Sequence, residues 1–344
     1  MKETATLTKR YILAFETSCD DTSVAVIDTN FKVYANLISS QLEHNKYGGV
    51  VPEIASRLHM RSIMKLTDIA LNEANIRLED VSAIAVSVNP GLIGSLLVGL
   101  SFAKSLAYSL KVPLITVNHM LGHIAANLIE HPNLTAPYLA LVVSGGHTEL
   151  VHFITEQNFI VVGQTRDDAA GEAFDKSAKL LGLGYPGGPI VDKLAQKGNE
   201  NFHDFPLGLN RKNNYDFSFS GLKTSVSTYV KSQTEDFVQK NKENICASLQ
   251  RAIVTILVKK TINYAKQEKI NTIIVAGGVS ANRGLRSKMQ REAEKIQAKV
   301  YVPHLQYCMD NAAMIGAAAV KKLLNNEFSD LKVNAFSTKG VRYL

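Results

Sequence analysis

Hydrophobic residues recur along the chain in two rounds that share one pattern. Each round opens with three short apolar runs separated by polar turns, and such runs predict a three-stranded meander. In the first round the runs are Ile12–Phe15, Val24–Ile27 and Val33–Ile38. In the second round they are Tyr138–Val143, Leu150–Ile154 and Phe159–Gln164. The repeated order indicates that one structural unit occurs twice.

Helices and further strands follow each meander, where the apolar spacing changes to about 3.6 residues or to a short continuous run. After the first meander we predict the helix Glu53–Asn75, the strand Ala83–Val88, the helix Leu92–Leu110 and the strand Val112–Val117. After the second we predict the helices Glu172–Leu181 and Asn244–Gln267, separated by a Gly/Asn/Phe-rich insert, then the strand Asn271–Val275, the helix Leu285–Lys295 and the strand Lys299–Val302. An Ala-rich helix at about Asn311–Asn325 comes last.

A weak internal identity accompanies the repeated order. At a constant offset of 126 positions, Leu13–Ser18 faces Leu139–Ser144, and Thr22 faces Thr148. Unrelated strand–turn–strand segments also match this well by chance, so the identity matters because it agrees with the element order. We therefore predict an α/β protein built from a duplicated βββαβα domain, with a cleft between the two copies.

Length and composition are those of an ordinary folded protein. The 344 residues exceed what one hydrophobic core usually serves, which favours two domains. The contents of 46% hydrophobic and 20% charged residues exclude a disordered chain. The formal charge of +7 permits an anionic partner but does not demand one, because the Lys and Arg residues are spread along the chain.

The cysteines and the apolar content indicate a cytoplasmic protein. Cys19, Cys246 and Cys308 are odd in number and far apart, which argues against disulfide bonds and for a reducing compartment. The sequence has no uninterrupted apolar run of about 18 residues, so we expect no membrane span. Residues Met1 to Arg10 are polar and lack the apolar core of a signal peptide.

Two histidines four residues apart, His119 and His123, directly follow an apolar run. If His119 opens a helix, both rings lie on one face with their Cβ atoms about 5–6 Å apart. One helix chelates a divalent metal in this way. The pair also resembles part of the His-Glu-x-x-His box of zinc proteases, but Met120 stands where the general base of such a protease would be. The pair predicts a metal and leaves the reaction open.

A two-histidine site needs a third ligand, preferably an anionic one. Asp310 is a candidate, although a position just before the last helix is also typical of an N-cap, and spacing does not choose among the carboxylates. The turn after the first strand holds Glu16, Asp20 and Asp21. It is too acidic to cradle a phosphate by itself, so we expect a metal or another cation near it.

Two glycine-containing turns are candidate ligand loops. Residues 142–148 form a tight turn whose Gly145 and Gly146 let backbone N–H groups face phosphate or carboxylate oxygens, with a plain hairpin turn as the alternative. Residues 275–282 run from a strand through a glycine pair to a helix start capped by Ser280. There Asn282 offers a donor and an acceptor to a ribose or a base edge.

Other polar residues have ordinary structural interpretations. Glu172 and Asp175 lie in the first turn of a predicted helix, where acidic residues are usually dipole partners. The glycine-rich bend at 184–189 precedes Asp192 and is typical of a linker. The cysteines are expected to be small core residues. We interpret the remaining histidines as structural or surface residues: His44, His59, His131, His152, His203 and His304.

Six of these segments occur in the order of one known family. They are Phe15–Asp20, His119-x-x-x-His123, Val143–Thr148, Gly171–Lys176, Gly277–Asn282 and Asp310–Met314. Together they resemble the bacterial TsaD family of tRNA N6-adenosine threonylcarbamoyltransferases, from about Tyr11 to Ala319. Each motif alone is modest, but six motifs in register are highly specific.

The resemblance implies the fold of actin, Hsp70 and the sugar kinases (the ASKHA superfold), with two ribonuclease-H-like domains and an interdomain cleft. The first domain would comprise residues 1–135, completed by the C-terminal helix at 305–325. The second would comprise 136–304 with an insert around 183–243, and 326–344 would be a C-terminal tail.

The resemblance also implies an activity. Family members transfer threonylcarbamoyl from threonylcarbamoyl-AMP to N6 of the adenosine 3′ of the anticodon, in tRNAs that read codons beginning with A, and so form t6A. They bind one divalent metal ion per subunit, iron or alternatively zinc. Bacterial members work with the partner proteins TsaB and TsaE, and TsaC supplies the threonylcarbamoyl-AMP intermediate. The resemblance implies no membrane partner.

Residue roles follow from the resemblance position by position. The metal ligands would be His119, His123 and Asp310. The contacts to the adenylate would be Val142, Val143, Ser144, Gly145, Gly146, Asp175, Gly188, Asp192 and Asn282. No residue is assigned as a nucleophile, because the donor is an already activated mixed anhydride. The metal would act as a Lewis acid on donor oxygens, and the 144–146 amides would stabilise developing charge.

Three alternatives stay open at this point. A metallopeptidase is disfavoured by Met120. A non-catalytic partner protein of the same fold would lack a complete metal set and an adenosine loop, and this chain has candidates for both. A sugar-kinase-like activity rests on the fold alone. The group that accepts the N6 proton is not evident from the sequence, and a substrate phosphate or carboxylate would serve.

Overall fold

The structure, a computed structural model, describes residues 10–47 and 49–337. The expectations for residues 1–9 and for the end of the tail, 338–344, lie outside the described residues. The chain divides into two compact units, the first formed from within 1–134 and 309–344 and the second from 135–308. The boundaries predicted from the family resemblance stay a prediction, as does the cleft.

The strands of the described residues form two five-stranded sheets, one in each unit. The first sheet contains β1 (Tyr11–Glu16), β2 (Asp21–Asp28), β3 (Val33–Ser40), β4 (Val81–Asn89) and β5 (Leu114–Asn118). The second contains β6 (Tyr138–Val143), β7 (Thr148–Phe153), β8 (Phe159–Gln164), β9 (Thr272–Ala276) and β10 (Lys299–Tyr301).

The helices cover these sheets. The first unit contains α1 (Pro52–Ala74), α2 (Ile93–Leu110) and α3 (His119–Ala125). The second contains α4 (Ala170–Leu180), α5 (Gly187–Ala195), α6 (Ser220–Lys231), α7 (Glu235–Lys240), α8 (Lys242–Gln267) and α9 (Arg283–Glu294). The last helix, α10 (Ala312–Leu324), returns to the first unit and packs on β1 and β2.

The two sheets have the same topology. Their orders are β3-β2-β1-β4-β5 and β8-β7-β6-β9-β10. In each, the first strand pairs antiparallel with the second and parallel with the fourth, and the fifth strand is parallel to the fourth. The predicted meanders and the duplication are therefore confirmed, and the fold class is α/β with two ribonuclease-H-like sheets.

Burial on both faces explains the continuous apolar runs of the central strands. Leu13 and Phe15 of β1 belong to a core that also contains Leu96 and Leu100 of α2. The opposite face receives α10, where a Cβ at Gly316 would lie 3.3 Å from that of Ala14. Strands covered by helices on both faces lose the alternation of apolar and polar positions.

The insert around 183–243 is more helical than the sequence pattern indicates, because it contains α5, α6 and α7. Distant side chains explain the difference for α5 and α6, whereas α7 is capped locally by Thr234, which accepts from Phe237 N at 3.3 Å. The Asp175 carboxylate accepts hydrogen bonds from the first amides of α5, and Asp167 accepts from Phe219 N (2.8 Å) and the Ser220 hydroxyl (2.7 Å) at the start of α6. The local periodicity of the sequence cannot reveal such long-range caps.

Two further observations concern the helices α10 and α2. The predicted C-terminal helix at 305–325 is shorter: residues Leu305–Tyr307 form a separate 3-10 turn, and α10 begins only at Ala312. Helix α2 is long and apolar enough to cross a membrane by length and composition, with a mean hydropathy of 1.4. In the structure it packs on β4 and α1. All three cysteines are free.

Candidate functional site

The two histidines lie on one turn of a helix that begins where β5 ends. The Asn118 side chain accepts hydrogen bonds from Met120 N (2.9 Å) and Leu121 N (3.1 Å), which fixes the first turn of α3. The His119 and His123 rings are consequently neighbours, with centroids 4.7 Å apart and planes at 80°. Both side chains are buried. The predicted shared face is confirmed.

Asp310 joins the histidine pair from the start of α10. One carboxylate oxygen lies 3.4 Å from His119 Nε2 and 3.2 Å from His123 Nε2. The alternative role as an N-cap is wrong, because Asn311 caps α10 by accepting from Met314 N at 3.0 Å. Close packing of the two helices brings the groups together, since a Cβ at Gly122 would lie 2.8 Å from Ile315 Cδ1.

These three side chains fit a divalent metal ion. Their ligand atoms all lie within 4.8 Å of one another. An ion with bonds of about 2.1 Å in tetrahedral geometry places its ligand atoms roughly 3.4 Å apart, close to the 3.4 and 3.2 Å that separate the Asp310 oxygen from the two histidine nitrogens. His123 Nδ1 is buried without a hydrogen-bond partner, and His123 Nε2 has only the Asp310 oxygen at 3.2 Å, outside good hydrogen-bond geometry. A poorly satisfied buried imidazole is costly, and a metal bond would lower that cost.

Glu16 orients the first of the two histidines. The carboxylate is buried, and its Oε2 accepts a hydrogen bond from His119 Nδ1 at 2.9 Å, while Ser18 Oγ lies 3.1 Å from the same nitrogen. With Nδ1 bonded to Glu16, Nε2 faces Asp310 and is the nitrogen left to bind a cation between the two groups, an arrangement typical of metal-binding histidines. The sequence showed an acidic turn near a cation but did not show which carboxylate touches which histidine.

The electrostatics of the cluster favour positive charge. Burial lowers the pKa of His119, but Glu16 and Asp310 outweigh it and raise that pKa well above its usual range. Burial lowers the pKa of His123. At Asp310 burial is opposed by the two histidines, which hold its pKa well below the usual value. Two carboxylates facing two imidazoles retain a cation, either a proton or a metal.

Cys19 is not an activated nucleophile, although it lies in the acidic turn. Burial, followed by the charge of Asp20, raises the pKa of its thiol. A thiol with a raised pKa carries little thiolate at neutral pH, and the thiolate is the reactive form.

The second unit carries the predicted adenylate residues. Val142 and Val143 end the buried strand β6, and the turn after it is closed by Ser144 N donating to His147 O at 2.8 Å. Gly145 and Gly146 are exposed. The N-terminus of α4 is seated against this turn, because a Cβ at Gly171 would lie 2.5 Å from the Ser144 carbonyl oxygen. A helix start behind exposed amides favours an anion.

Asp175 of α4 and Asp192 of α5 connect the turn after β6 to the other predicted adenylate residues. Asp175 Oδ1 accepts from Gly187 N (2.7 Å) and Gly188 N (3.2 Å), so residues 184–189 lead directly into a helix and are not a linker. Asp192 Oδ1 accepts from Arg283 N at 3.1 Å. Burial raises the pKa of both Asp175 and Asp192.

The second glycine loop is anchored beside the first. A Cβ at Gly277, whose φ is +87°, would lie 2.4 Å from the Val143 carbonyl oxygen. The predicted cap by Ser280 is wrong: residues 278–281 form a 3-10 turn, and Asn282 caps α9 by accepting from Leu285 N at 2.9 Å. The predicted residues therefore form one connected set.

The family model for TsaD, described as tRNA N6-adenosine threonylcarbamoyltransferase, matches residues 32–317. The chain belongs to the TsaD family. A tRNA N6-adenosine threonylcarbamoyltransferase of Clostridium perfringens (strain SM101) is 49% identical over 330 residues, covering 96% of this chain and 97% of that one. One from Thermosipho africanus is 50% identical over 325 residues, covering 94% and 98%. The predicted family and its transferase class are confirmed.

Solved structures support the fold. HypF from T. kodakarensis aligns with a TM-score of 0.61 at 15% identity, covering 93% of this chain and 48% of that one. Component A of (R)-2-hydroxyglutaryl-CoA dehydratase from Acidaminococcus fermentans aligns with a TM-score of 0.54 at 14% identity, covering 92% and 99%. At these identities the likeness concerns the fold alone.

Proposed function

We propose that the chain transfers the threonylcarbamoyl group from threonylcarbamoyl-AMP to N6 of the adenosine 3′-adjacent to the anticodon, giving t6A in tRNAs that read codons beginning with A. Membership in the TsaD family supports the transferase activity. The cluster of the buried His119 and His123 with the half-buried Asp310 supports the role of a metal, because His123 contacts no polar partner other than Asp310 there.

His119, His123 and Asp310 would hold one divalent ion per subunit. When bound, such an ion supplies Lewis-acid stabilisation of oxygen atoms in the donor. Glu16 keeps His119 in the tautomer that presents Nε2. Two imidazoles with one carboxylate suit non-haem Fe²⁺ and also occur with Zn²⁺. Iron is our proposal, with zinc as the alternative.

The second unit would hold the adenylate part of the donor. The amides of Gly145 and Gly146 would receive its phosphate oxygens, because these two residues are exposed and backed by the start of α4, whereas the Ser144 amide already donates to His147 O. Gly188 at the start of α5 offers close backbone approach, and Asp175, Asp192 and Asn282 supply polar groups for the nucleoside. An activated acyl donor needs binding and orientation, and accurate positioning alone contributes several kcal/mol of barrier reduction.

The two units correspond, in this proposal, to the two ribonuclease-H-like domains, the first completed by α10. We place the reaction in the cytoplasm, where free cysteines such as the three found here persist.

Protein partners of the TsaB and TsaE type, and a TsaC-like synthase that supplies the donor, belong to the same proposal. The first unit offers a surface for such a partner. Met60 and Met64, one turn apart on α1, are 67% and 66% exposed, and Leu97 of the adjacent α2 is 43% exposed. Flexible apolar side chains at helical spacing are typical of protein-binding faces.

A metallopeptidase gains no support from this site. Met120, which stands at the position of the protease general base, is fully buried in the core. A residue buried there offers neither a carboxylate nor access to a bound water.

The substitution His123→Ala tests the proposal. Metal content by plasma mass spectrometry and t6A by nucleoside mass spectrometry are measured in the full chain with its partners. Both are expected to fall by more than about tenfold, since one ligand of three is lost. His152→Ala, which removes a half-buried histidine of the second unit, is the matched control. Full metal occupancy and undiminished t6A in His123→Ala would refute the metal site.

A further inference from the structure

A lysine-lined groove lies between α4 and α6 in the second unit. Its volume is about 570 Å³, and the helices present four lysines to it. They are Lys176 and Lys179 of α4 and Lys223 and Lys231 of α6. The four lysines lie more than fifty positions apart from first to last in the sequence. The distribution of charge along the chain therefore does not predict that they cluster.

Helical spacing places the polar groups of the groove in stripes. On α6, Lys223, Ser227 and Lys231 follow one another at intervals of four residues, and so occupy one face. The two end lysines are separated by about 12 Å along the helix axis, at 1.5 Å per residue. Thr228 adds a further hydroxyl, whereas the hydroxyl of Thr224 donates to Ser220 O at 3.1 Å. Ammonium and hydroxyl groups in rows are donors that suit a chain of phosphates.

Acidic neighbours hold two of the lysines but leave the other two available. Asp168 accepts from Lys176 at 2.9 Å and lies 3.2 Å from Lys223, and Glu172 lies 2.6 Å from Lys176. Within 10–47 and 49–337, Lys179 and Lys231 make no ion pair, and both are exposed. Four ammonium groups against two carboxylates leave the groove positively charged.

We propose that this groove binds backbone phosphates of the tRNA substrate. The inference rests on the proposed function, which makes tRNA the acceptor. Lysines and hydroxyls on exposed helix faces give contacts that position a nucleic acid without reading its bases. A bound free polyphosphate is the other source of the same chemistry. The extended rows and the absence of a glycine loop from the lining favour a backbone that continues past the groove.

The double substitution Lys179→Glu/Lys231→Glu tests the inference. The Kd for tRNA is measured on the full, metal-loaded chain with its partner proteins, across a series of salt concentrations. We expect binding to weaken by at least tenfold near physiological salt. The steepness of the negative slope of log K against log salt concentration is expected to decrease by roughly 1.5, since each lost phosphate contact lowers its magnitude by somewhat less than one unit. Lys212→Glu/Lys266→Glu, with equal charge change at exposed sites of the same unit outside the groove, is the control.

Three results would overturn the inference. They are an unchanged Kd and slope in the groove variant, an equal loss in the control variant, and loss of inorganic tripolyphosphate binding with tRNA binding intact. The proposed function is checked separately by t6A formation in the unsubstituted chain. If that chain forms no t6A, the proposed function fails, whereas the groove is judged from tRNA binding alone.

Discussion

The turn after β1 and the turn after β6 occupy the same place in two copies of one fold, yet their chemistry differs. The first strand ends in Glu16, a buried carboxylate that binds His119. The second ends in Val143, and its turn contains no carboxylate: it consists of Ser144, the exposed Gly145 and Gly146, and the half-buried His147. The duplicated backbone fixes where a ligand is met, and the side chains decide whether that ligand is a cation or an anion.

Removing the metal should abolish the function of the turn after β1 and leave ligand binding at the turn after β6 intact. We expect a chelator to lower t6A formation by more than about 100-fold, because the Lewis acid is lost. AMP binding, which we assign to the second unit, should change less than about threefold. Restoring Fe²⁺ or Zn²⁺ to the treated protein should restore the reaction. Full activity in the metal-free protein would show that the first turn does not act through a metal.

Gly277→Ala should damage the second unit and spare the metal. The new Cβ would lie 2.4 Å from the backbone of Val143, at a φ of +87° that side chains rarely adopt. We expect a loss of about 2–4 kcal/mol in the free energy of unfolding. The matched control is Gly221→Ala, where the Cβ meets no atom within 4 Å. The control should stay within about 1 kcal/mol of the unsubstituted chain in chemical denaturation.

Glu16→Gln should weaken the metal site without removing a ligand. The amide no longer holds His119 as a carboxylate does, so we expect metal affinity to fall by about 10–100-fold. Competition with a coloured chelator measures this. Glu172→Gln removes a carboxylate from a helix start in the second unit and should leave metal affinity unchanged. Equal affinities in the Glu16→Gln variant and the unsubstituted chain would contradict the assigned role.

Two helix caps give the smallest expected effect and the sharpest contrast between the units. Asn118→Ala and Asn282→Ala each remove an N-cap, so each should cost about 1 kcal/mol in thermal or denaturant unfolding. Only Asn118→Ala should also lower metal affinity, because α3 begins at His119. An equal loss of metal affinity in both variants would show that the effect is global.

Features that depend on local patterns of residues could be predicted from the sequence. The meanders, the crossover helices and the shared face of His119 and His123 follow from periodicity and spacing, and the structure has them. Motif order identified the family. Asp310 could not be selected by spacing, because its approach depends on how α10 packs on α3.

Most of the features that were missed depend on contacts between distant residues. Helices α5 and α6 of the insert are capped by Asp175 and Asp167 from outside it. The contact of Glu16 with His119 spans 103 positions. In both cases the tertiary packing chooses the partner. The cap of α9 is a local exception: Ser280 has the right type for a cap, but the 3-10 turn at 278–281 leaves that role to Asn282.

X-ray absorption spectroscopy of the purified, metal-loaded chain identifies the ligands of the ion. We expect one bound ion per chain, with two imidazole nitrogens and a carboxylate oxygen at about 2.0–2.2 Å. In the His123→Ala variant we expect one imidazole fewer in that coordination sphere. A chain that binds no ion, or whose ion has no imidazole ligand, would refute the assignment of His119, His123 and Asp310 as metal ligands.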